Sequence, residues 1–330
     1  MDKLDELLLD ELEQNGYQKA EALSNKLNVS KRTIYRRIQN LRRDRIFEVI
    51  AIPNPRILGY EAWAEICIKV KPRYLKSVIR QLVKSPLTYS VTTTVGEFDV
   101  LVDVFFDNTD KLASFVNSGL TAIEGITKTE TILLKRPIKY YHLFRSAFNS
   151  WENDRKQDHQ IDFRQNMDKP TDMDLRILKI LRQDGFISPA KMKSKLGVAE
   201  STVRKHLSAM LERKVFTLEI IMNPRLLHYD AWATLGLNID HRFEYKRFEQ
   251  IIDHPAVYFA GMTLGRFNFL LGVRFHNIEH LYKFAKIELP SMGGIVTVDI
   301  LPYTRPLKYY GIHWDNDIVG TDTALEDGTA

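Results

Sequence analysis

The sequence predicts an α+β protein made of two like repeats, each a winged helix-turn-helix followed by a βαββαβ unit. Three observations carry that reading. The 330-residue chain matches itself after a shift of 169 with no gap: Gly16 meets Gly185, Trp63 meets Trp232, Gly125 meets Gly294, and Lys139, Tyr140 and Tyr141 meet Lys308, Tyr309 and Tyr310. Each repeat opens on three short helical periods, and each closes on strand periods interrupted by two helices. A register shared over that length marks a tandem duplication, and two copies are too few for a solenoid. Each repeat is long enough for a core of its own.

In the first repeat Leu4, Leu7, Leu8 and Leu12 recur at helical spacing from Lys3 to Gln14, and Asn15-Gly16 ends that helix. A second helix is expected from about Lys19 to Leu27. Asn28-Val29 makes a short turn, and Ser30 is a good N-cap for a third helix reaching about Asp44. Ile34, Ile38 and Leu41 line one face of it. The copy reads Leu175 to Gln183, Pro189 to Leu196, a Gly197-Val198 turn, then Glu200 to Arg213 with Val203, Leu207 and Met210 inward. Three short helices with a tight turn before the third form a helix-turn-helix. These domains are expected at residues 1–52 and 171–221.

The α/β units follow, at 60–145 and 229–314. A short strand (Phe47 to Ile52) and a turn at Pro53-Asn54-Pro55 lead into a strict alternation. Ala64, Ile66, Ile68 and Val70 lie on one face, with Trp63, Glu65, Cys67 and Lys69 on the other. A helix (Tyr74 to Lys84), a strand (Leu87 to Val95), a two-residue turn at Gly96-Glu97 and a strand (Phe98 to Phe106) come next. A helix (Thr109 to Leu120) and a last strand (Ile126 to Leu134) complete a ferredoxin-like order. Gly96 and Gly265 suit the first position of a type II′ hairpin. Residues 146–170 are polar and aperiodic, a linker; residues 315–330 are acidic and small, an expected disordered tail.

Composition sets outer limits. Met1 to Asn15 alternates acids with leucines, which argues against a signal peptide, and nowhere do 18 apolar residues run together to span a membrane. A single cysteine, Cys67, excludes an internal disulfide and a Cys-rich zinc site. A cytoplasmic, nucleoid-associated location and no cofactor are therefore expected.

The net charge of +5 is mild, but its distribution is not. Between positions 31 and 45, Lys31, Arg32, Arg36, Arg37, Arg42, Arg43 and Arg45 stand against Asp44 alone, with Thr33, Tyr35, Gln39 and Asn40 sharing the outer surface. Phosphates need several cations on one face, and base edges need short polar or Arg side chains near the helix start. Most charge runs are solvated faces. This one falls on the helix that the motif assigns to the major groove, which points to double-stranded DNA. In the second copy Arg204, Lys205, Arg213 and Lys214 face Glu200 and Glu212, with Ser201, Thr202 and Ser208 as the polar set, so its grip is weaker.

Val29-Ser30 opening the third helix, Arg37 to Leu41 within it, Asn54-Pro55-Arg56 with Gly59, and Gly96-Glu97-Phe98-Asp99 occur in order and in two copies. In these the chain resembles the leucine-responsive regulator/AsnC (Lrp/AsnC) family of prokaryotic transcription factors. The resemblance implies α/β units that dimerise through their sheets, assemble further, and bind an amino acid or similar effector that alters DNA binding. The effector would lie near the hairpin, touching Gly96 and Asp99, Thr92 and Thr94, with Gly265 and Asn268 as the second copy. Asp99 could hold an ammonium group, or simply stabilise the hairpin. Two departures stand out: Arg45 and Lys214 replace the Gly usual after the recognition helix, and Asn268 replaces the acid. A fused chain could pair its own α/β units and imitate the family's dimer. Its unlike recognition helices would then prefer an imperfectly palindromic site.

A second reading keeps the architecture and changes the role: siroheme decarboxylases, some resembling fusions of two such halves. They need imidazole and cationic groups around a tetrapyrrole. Here His142 alone lies in the first repeat proper and His159 in the linker, while His206, His228, His241, His254, His276, His280 and His313 scatter over the second. No nucleophile triad, phosphate-cradling loop or carboxylate pair stands out in the sequence. The regulator reading leads. The duplicated Lys-Tyr-Tyr is expected to extend each last strand at the interface between units.

Overall fold

The computed structural model describes residues 2–15, 20–55, 57–140, 169–223, 230–240 and 245–313. The first repeat runs α1 (Lys3–Asn15), α2 (Ala20–Leu27), α3 (Lys31–Arg43), β1 (Phe47–Pro53), β2 (Ala62–Val70), α4 (Leu75–Lys84), β3 (Thr88–Thr94), β4 (Val100–Phe106), α5 (Thr109–Ser114) and β5 (Ile126–Tyr140). The second runs α6 (Asp172–Leu181), α7 (Pro189–Leu196), α8 (Glu200–Glu212), β6 (Phe216–Met222), β7 (Ala231–Ile239), α9 (Tyr245–Asp253), β8 (Val257–Leu264), β9 (Phe269–Phe275), α10 (Ile278–Lys283), β10 (Ile295–Tyr309) and β11 (Ile312–His313). The expected linker lies outside the described residues except for positions 169 and 170, and so does the expected tail. Among the described residues no helix is long and apolar enough to cross a membrane.

Two compact units cut across the repeats: residues 1–59 with 161–228, and 60–160 with 229–330. Each kind of domain packs with its own copy. In the helical unit, α1 to α3 close over Leu8, Leu12, Leu23, Ile34, Ile38 and Leu41. Met192, Val203 and Met210 do the same service in the copy. Ser30 caps α3 as expected, its Oγ accepting from the Thr33 N–H. Helix α6 starts three residues earlier than its leucine pattern suggested, because Thr171 and Asp174 form a reciprocal capping box. The two wings pair as an antiparallel ribbon, β1 on β6, with Ile50 opposite Glu219. Those positions are equivalent in the two repeats, so a pseudo-twofold axis passes between them. A lone ribbon is marginal in water; here Phe47 and Val49 sink into one helical core, Ala51 and Phe216 into the other.

The second unit is one antiparallel sheet of nine strands, ordered β11-β10-β3-β4-β2-β5-β8-β9-β7, that closes on itself because β10 also pairs with β7. Within each repeat the order is the ferredoxin-like one. The last strands run on past Leu134, as expected of the repeated Lys-Tyr-Tyr: β5 continues to Tyr140, and its far half pairs with β8 (Leu134 with Thr263, Lys139 with Ala260). Strand β10 does the same to β3 (Tyr303 with Thr94, Lys308 with Val91). Pro137 and Pro306 cannot donate to a ladder, and each sits between register shifts where the ladder needs no N–H. The repeated Lys139-Tyr140 and Lys308-Tyr309 are thus the arms by which each repeat grasps the other.

Helices cover the outer faces, burying Ala64, Ile66 and Ile68 against Val78, Leu82 and Leu112 in one repeat and Leu235 and Leu237 against Ile251 and Leu281 in the other. The inner faces meet at Cys67, Phe98, Leu101, Ile132, Phe267, Leu270 and Leu301. The expected two-residue hairpin is corrected: β3 ends at Thr94 and β4 starts at Val100, leaving residues 95–99 as the connection. Phe98, 1% exposed, leaves the ladder to fill the inner core. Gly96 (φ +116°) and Gly265 (φ +127°) still hold the backbone geometry that glycine favours.

Candidate nucleic-acid interface

The six cations of α3 divide by task. Arg37 lies across α1, its Nη1 2.6 Å from Asp2 and 3.2 Å from Asp5. Arg42 reaches the other helical domain: its guanidinium is 2.8 Å from Asp184 and 4.5 Å over the Phe186 ring. Both are half-buried and paired with acids, so these two fasten the unit together, and Arg37 is committed to α1 rather than presented outward. Lys31, Arg32, Tyr35, Arg36 and Arg43 are exposed, while Thr33, Gln39 and Asn40 are half-buried beside them. Lys31 pairs with Glu21, and Arg43 with Asp44. Arg32 and Arg36 make no ion pair among the described residues. The face they define combines exposed cations with a phenol and two amides, the chemistry that phosphates and base edges require.

On α8, Ser201, Arg204, Lys205 and Ser208 are exposed and Thr202 is half-buried. Arg204 is engaged by Glu200 at 2.5 Å, one turn earlier. Ala199 stands at the N-cap without a side-chain hydrogen bond, where the first copy has Ser30. The counterpart of Arg37 is His206, whose Nδ1 lies 2.7 Å from Oδ1 of Asp174. Asp5 and Asp174 are equivalent positions, so both recognition helices are latched to the first helix of their domain by one acid, through a guanidinium in one copy and an imidazole in the other.

Both recognition helices end in Schellman motifs: the Ile46 N–H donates to Leu41 O and the Val215 N–H to Met210 O, each 2.9 Å. Arg45 and Lys214 therefore hold φ +53°, left-handed without being glycine.

Of the expected effector residues, Thr94, Gly96 and Asp99 lie together at the β3–β4 connection, where the Thr94 N–H donates to Asp99 O at 3.0 Å. The Asp99 carboxylate accepts from the Val70 N–H (2.8 Å) and from Lys69 Nζ (3.1 Å), which also donates to Gly96 O. Asn268 makes the neutral version, exchanging both amide bonds with the Ile239 backbone. Asp99 and Asn268 each tie a hairpin to the neighbouring strand. Thr94 is buried at the end of β3, Gly265 lies in the second hairpin, and Thr92 turns into a cavity between the two inner faces. The hairpins themselves are joined by Arg266, 2.5 Å from Glu97 and 2.9 Å from Asp299. Lys128 and Arg266 together hold the Glu97 carboxyl down at about 2. Of the histidines, His142, His159, His228 and His241 lie outside the described residues. Asp5, Asp174, Arg42 and the buried Glu65 and Asp103 escaped sequence reasoning. Comparing residues 169 apart, and asking why acids occupy inward strand positions, would have found most of them.

Three sequence profiles match: the Lrp/AsnC ligand binding domain over residues 64–143, an HTH domain over 6–61, and a winged helix-turn-helix DNA-binding domain over 171–215. The chain is similar to an HTH-type transcriptional regulator of Pyrococcus furiosus, 32% identical over 137 residues, covering 40% of this chain and 91% of that protein. It is also similar to HTH-type transcriptional regulator FL11 of the same organism, 30% identical over 135 residues, with 41% and 89% covered. Over its whole length it shares a fold with the siroheme decarboxylase NirDL, at a TM-score of 0.60 and 15% identity, with 93% of each chain covered.

Proposed function

The chain belongs to the Lrp/AsnC family, and on that premise we propose that it is a sequence-specific, DNA-binding transcriptional regulator in which one polypeptide does the work of a dimer. The observation that carries the reading is the ribbon β1–β6, which relates two helix-turn-helix domains by a pseudo-twofold axis through Ile50 and Glu219. Two recognition helices so related suit half-sites about 34–36 Å apart, one turn of the duplex. Lys31, Arg32, Tyr35, Arg36, Gln39, Asn40 and Arg43 would make one set of contacts, and Ser201, Thr202, Arg204, Lys205 and Ser208 the other. Since the first set carries more unpaired cations, it supplies more of the salt-dependent affinity.

A small effector belongs to the proposal through the ligand-binding profile at residues 64–143. An amino acid at Asp99 would have to displace Lys69. Association between chains through the α/β units, and residence with the nucleoid, are parts of the same reading. No catalytic role is assigned, because a fold shared with NirDL at 15% identity carries no chemistry with it.

In vitro selection from a random duplex library tests the proposal. The expected product is an imperfect palindrome with unequal half-sites. A strictly symmetric product would overturn the division of labour between the helices, and no enrichment at all would overturn the regulator reading.

A further inference from the structure

Between the two inner faces of the closed sheet lies a cavity of about 50 Å³. Its walls are largely aromatic, with Trp63, Tyr89, Tyr258 and Tyr303 among them, and two acids enter it: Glu65 from β2 and Asp103 from β4. These acids are directly opposed in the β2–β4 ladder. Glu65 is 9% exposed; its Oε2 accepts from the Thr234 hydroxyl at 3.1 Å, and its Oε1 is buried with no partner. Neither acid makes an ion pair with a described residue, and no cationic side chain lines the cavity. Two carboxylates side by side in a dry site cannot both ionise without a counter-ion. Desolvation, and then the charge of Asp103, push Glu65 up to about 8; desolvation likewise pushes Asp103 up to about 7.

The duplication shows that this arrangement is a departure from symmetry. Glu65, Asp103 and Ser90 correspond to Thr234, Gly272 and Phe259 in the second repeat. One copy supplies both acids, and the other supplies a hydroxyl, a glycine and a ring. A Cβ at Gly272 would lie 2.6 Å from the Tyr258 ring, so that space is already taken up by an aromatic wall. The second repeat carries no equivalent acid pair at these positions.

We propose that the intersheet cavity binds a small organic ammonium ion, with Glu65 and Asp103 as its counter-ions and the surrounding rings as its cage. Ammonium N–H groups would satisfy the orphaned Oε1 of Glu65, and the π-faces attract a cation that has lost its water. A divalent metal fits poorly: Ca²⁺ and Mg²⁺ take about six or more oxygen ligands, and among the described residues no group of three acids, histidines or cysteines comes together to hold a metal ion. The volume accommodates about four non-hydrogen atoms, counting roughly one water per 10–15 Å³. The other titratable groups lining the cavity are the phenols Tyr89, Tyr258, Tyr303, Tyr309 and Tyr310; burial raises Tyr303 well above its usual range. Binding therefore releases the proton that the acids share and strengthens as pH rises.

The test is calorimetric titration of the full chain with n-propylammonium chloride, in phosphate and in Tris at the same pH. Saturable binding at up to about 50 mM ligand is expected, with a heat that differs between buffers because protons are released. Glu65→Gln, which keeps the shape and removes the charge, should weaken it about tenfold or more. If that variant fails to melt cooperatively, Asp103→Asn carries the same comparison. No binding, equal binding by the variant, equal binding of n-propanol, or equal competition by potassium chloride would each overturn the proposal. DNA binding is measured separately, so loss of either activity is distinguishable from loss of the other.

Discussion

Glu97 and Arg266 occupy the same position of the two repeats, and their side chains meet at 2.5 Å. In a dimer of identical chains that position would face its own copy, acid against acid. The duplicated halves have diverged into a complementary pair, as Glu65 and Thr234 have at 3.1 Å on the inner faces. Both contacts mark the intrachain pairing as the one that selection has worked on.

The first prediction follows directly. Glu97→Arg places two guanidinium groups together and should lower the melting temperature, while the double exchange Glu97→Arg with Arg266→Glu should recover most of the loss. Both residues are substantially exposed, so the difference should shrink in high salt. A single variant as stable as the double one at low salt would show that the pair does not matter.

The second concerns pH. Glu65, Asp103 and Glu219 all have carboxyls raised by burial, to about 8, 7 and 7. A folded value above the unfolded one stabilises at low pH, and that contribution is lost as pH rises through the folded value. The melting temperature should therefore fall from about pH 5 to about pH 8, and Glu65→Gln should flatten part of the slope. A rise over that interval would contradict the assignment.

How much of this was legible in advance depends on range. Ser30 and Pro189 set helix starts that local chemistry decides, and the alternation of β2 correctly separated the helix-facing Ala64, Ile66 and Ile68 from the sheet-facing Trp63, Glu65 and Cys67. The extension of β5 through Lys139 and Tyr140 was legible from the repeated Lys-Tyr-Tyr, whereas the register shifts that accommodate Pro137 were not. Nor was the division among the arginines: Arg36 and Arg37 are neighbours in sequence, and only the approach of Asp2 and Asp5 tells them apart. Asp99 was weighed between ligand and strut, and Val70 and Lys69 now account for its carboxylate.

That division yields the third prediction. Arg37→Ala should loosen α1 and lower stability, whereas Arg36→Ala should leave the melting curve unchanged and weaken DNA binding. Circular dichroism melts and gel-shift titrations on both variants decide it; the opposite assignment would return Arg37 to the DNA face.

The fourth concerns backbone. Arg45 and Lys214 hold φ +53°, so Gly at either site should stabilise by roughly 0.5–1 kcal/mol after its own entropy cost is taken off. Urea midpoints test this, and Arg45→Gly should also lose some DNA affinity with its cation. A drop in midpoint for both variants would mean that the side chains contribute more than the strain costs.

The most direct measurement of the central claim is the salt dependence of duplex binding by the full chain, with and without Arg32→Ala and Arg36→Ala. If these side chains lie on phosphates, the double variant should bind less tightly and its log–log salt slope should be shallower by roughly 1.8. An unchanged slope and affinity, or no binding of the unaltered chain to any duplex at low ionic strength, would contradict it.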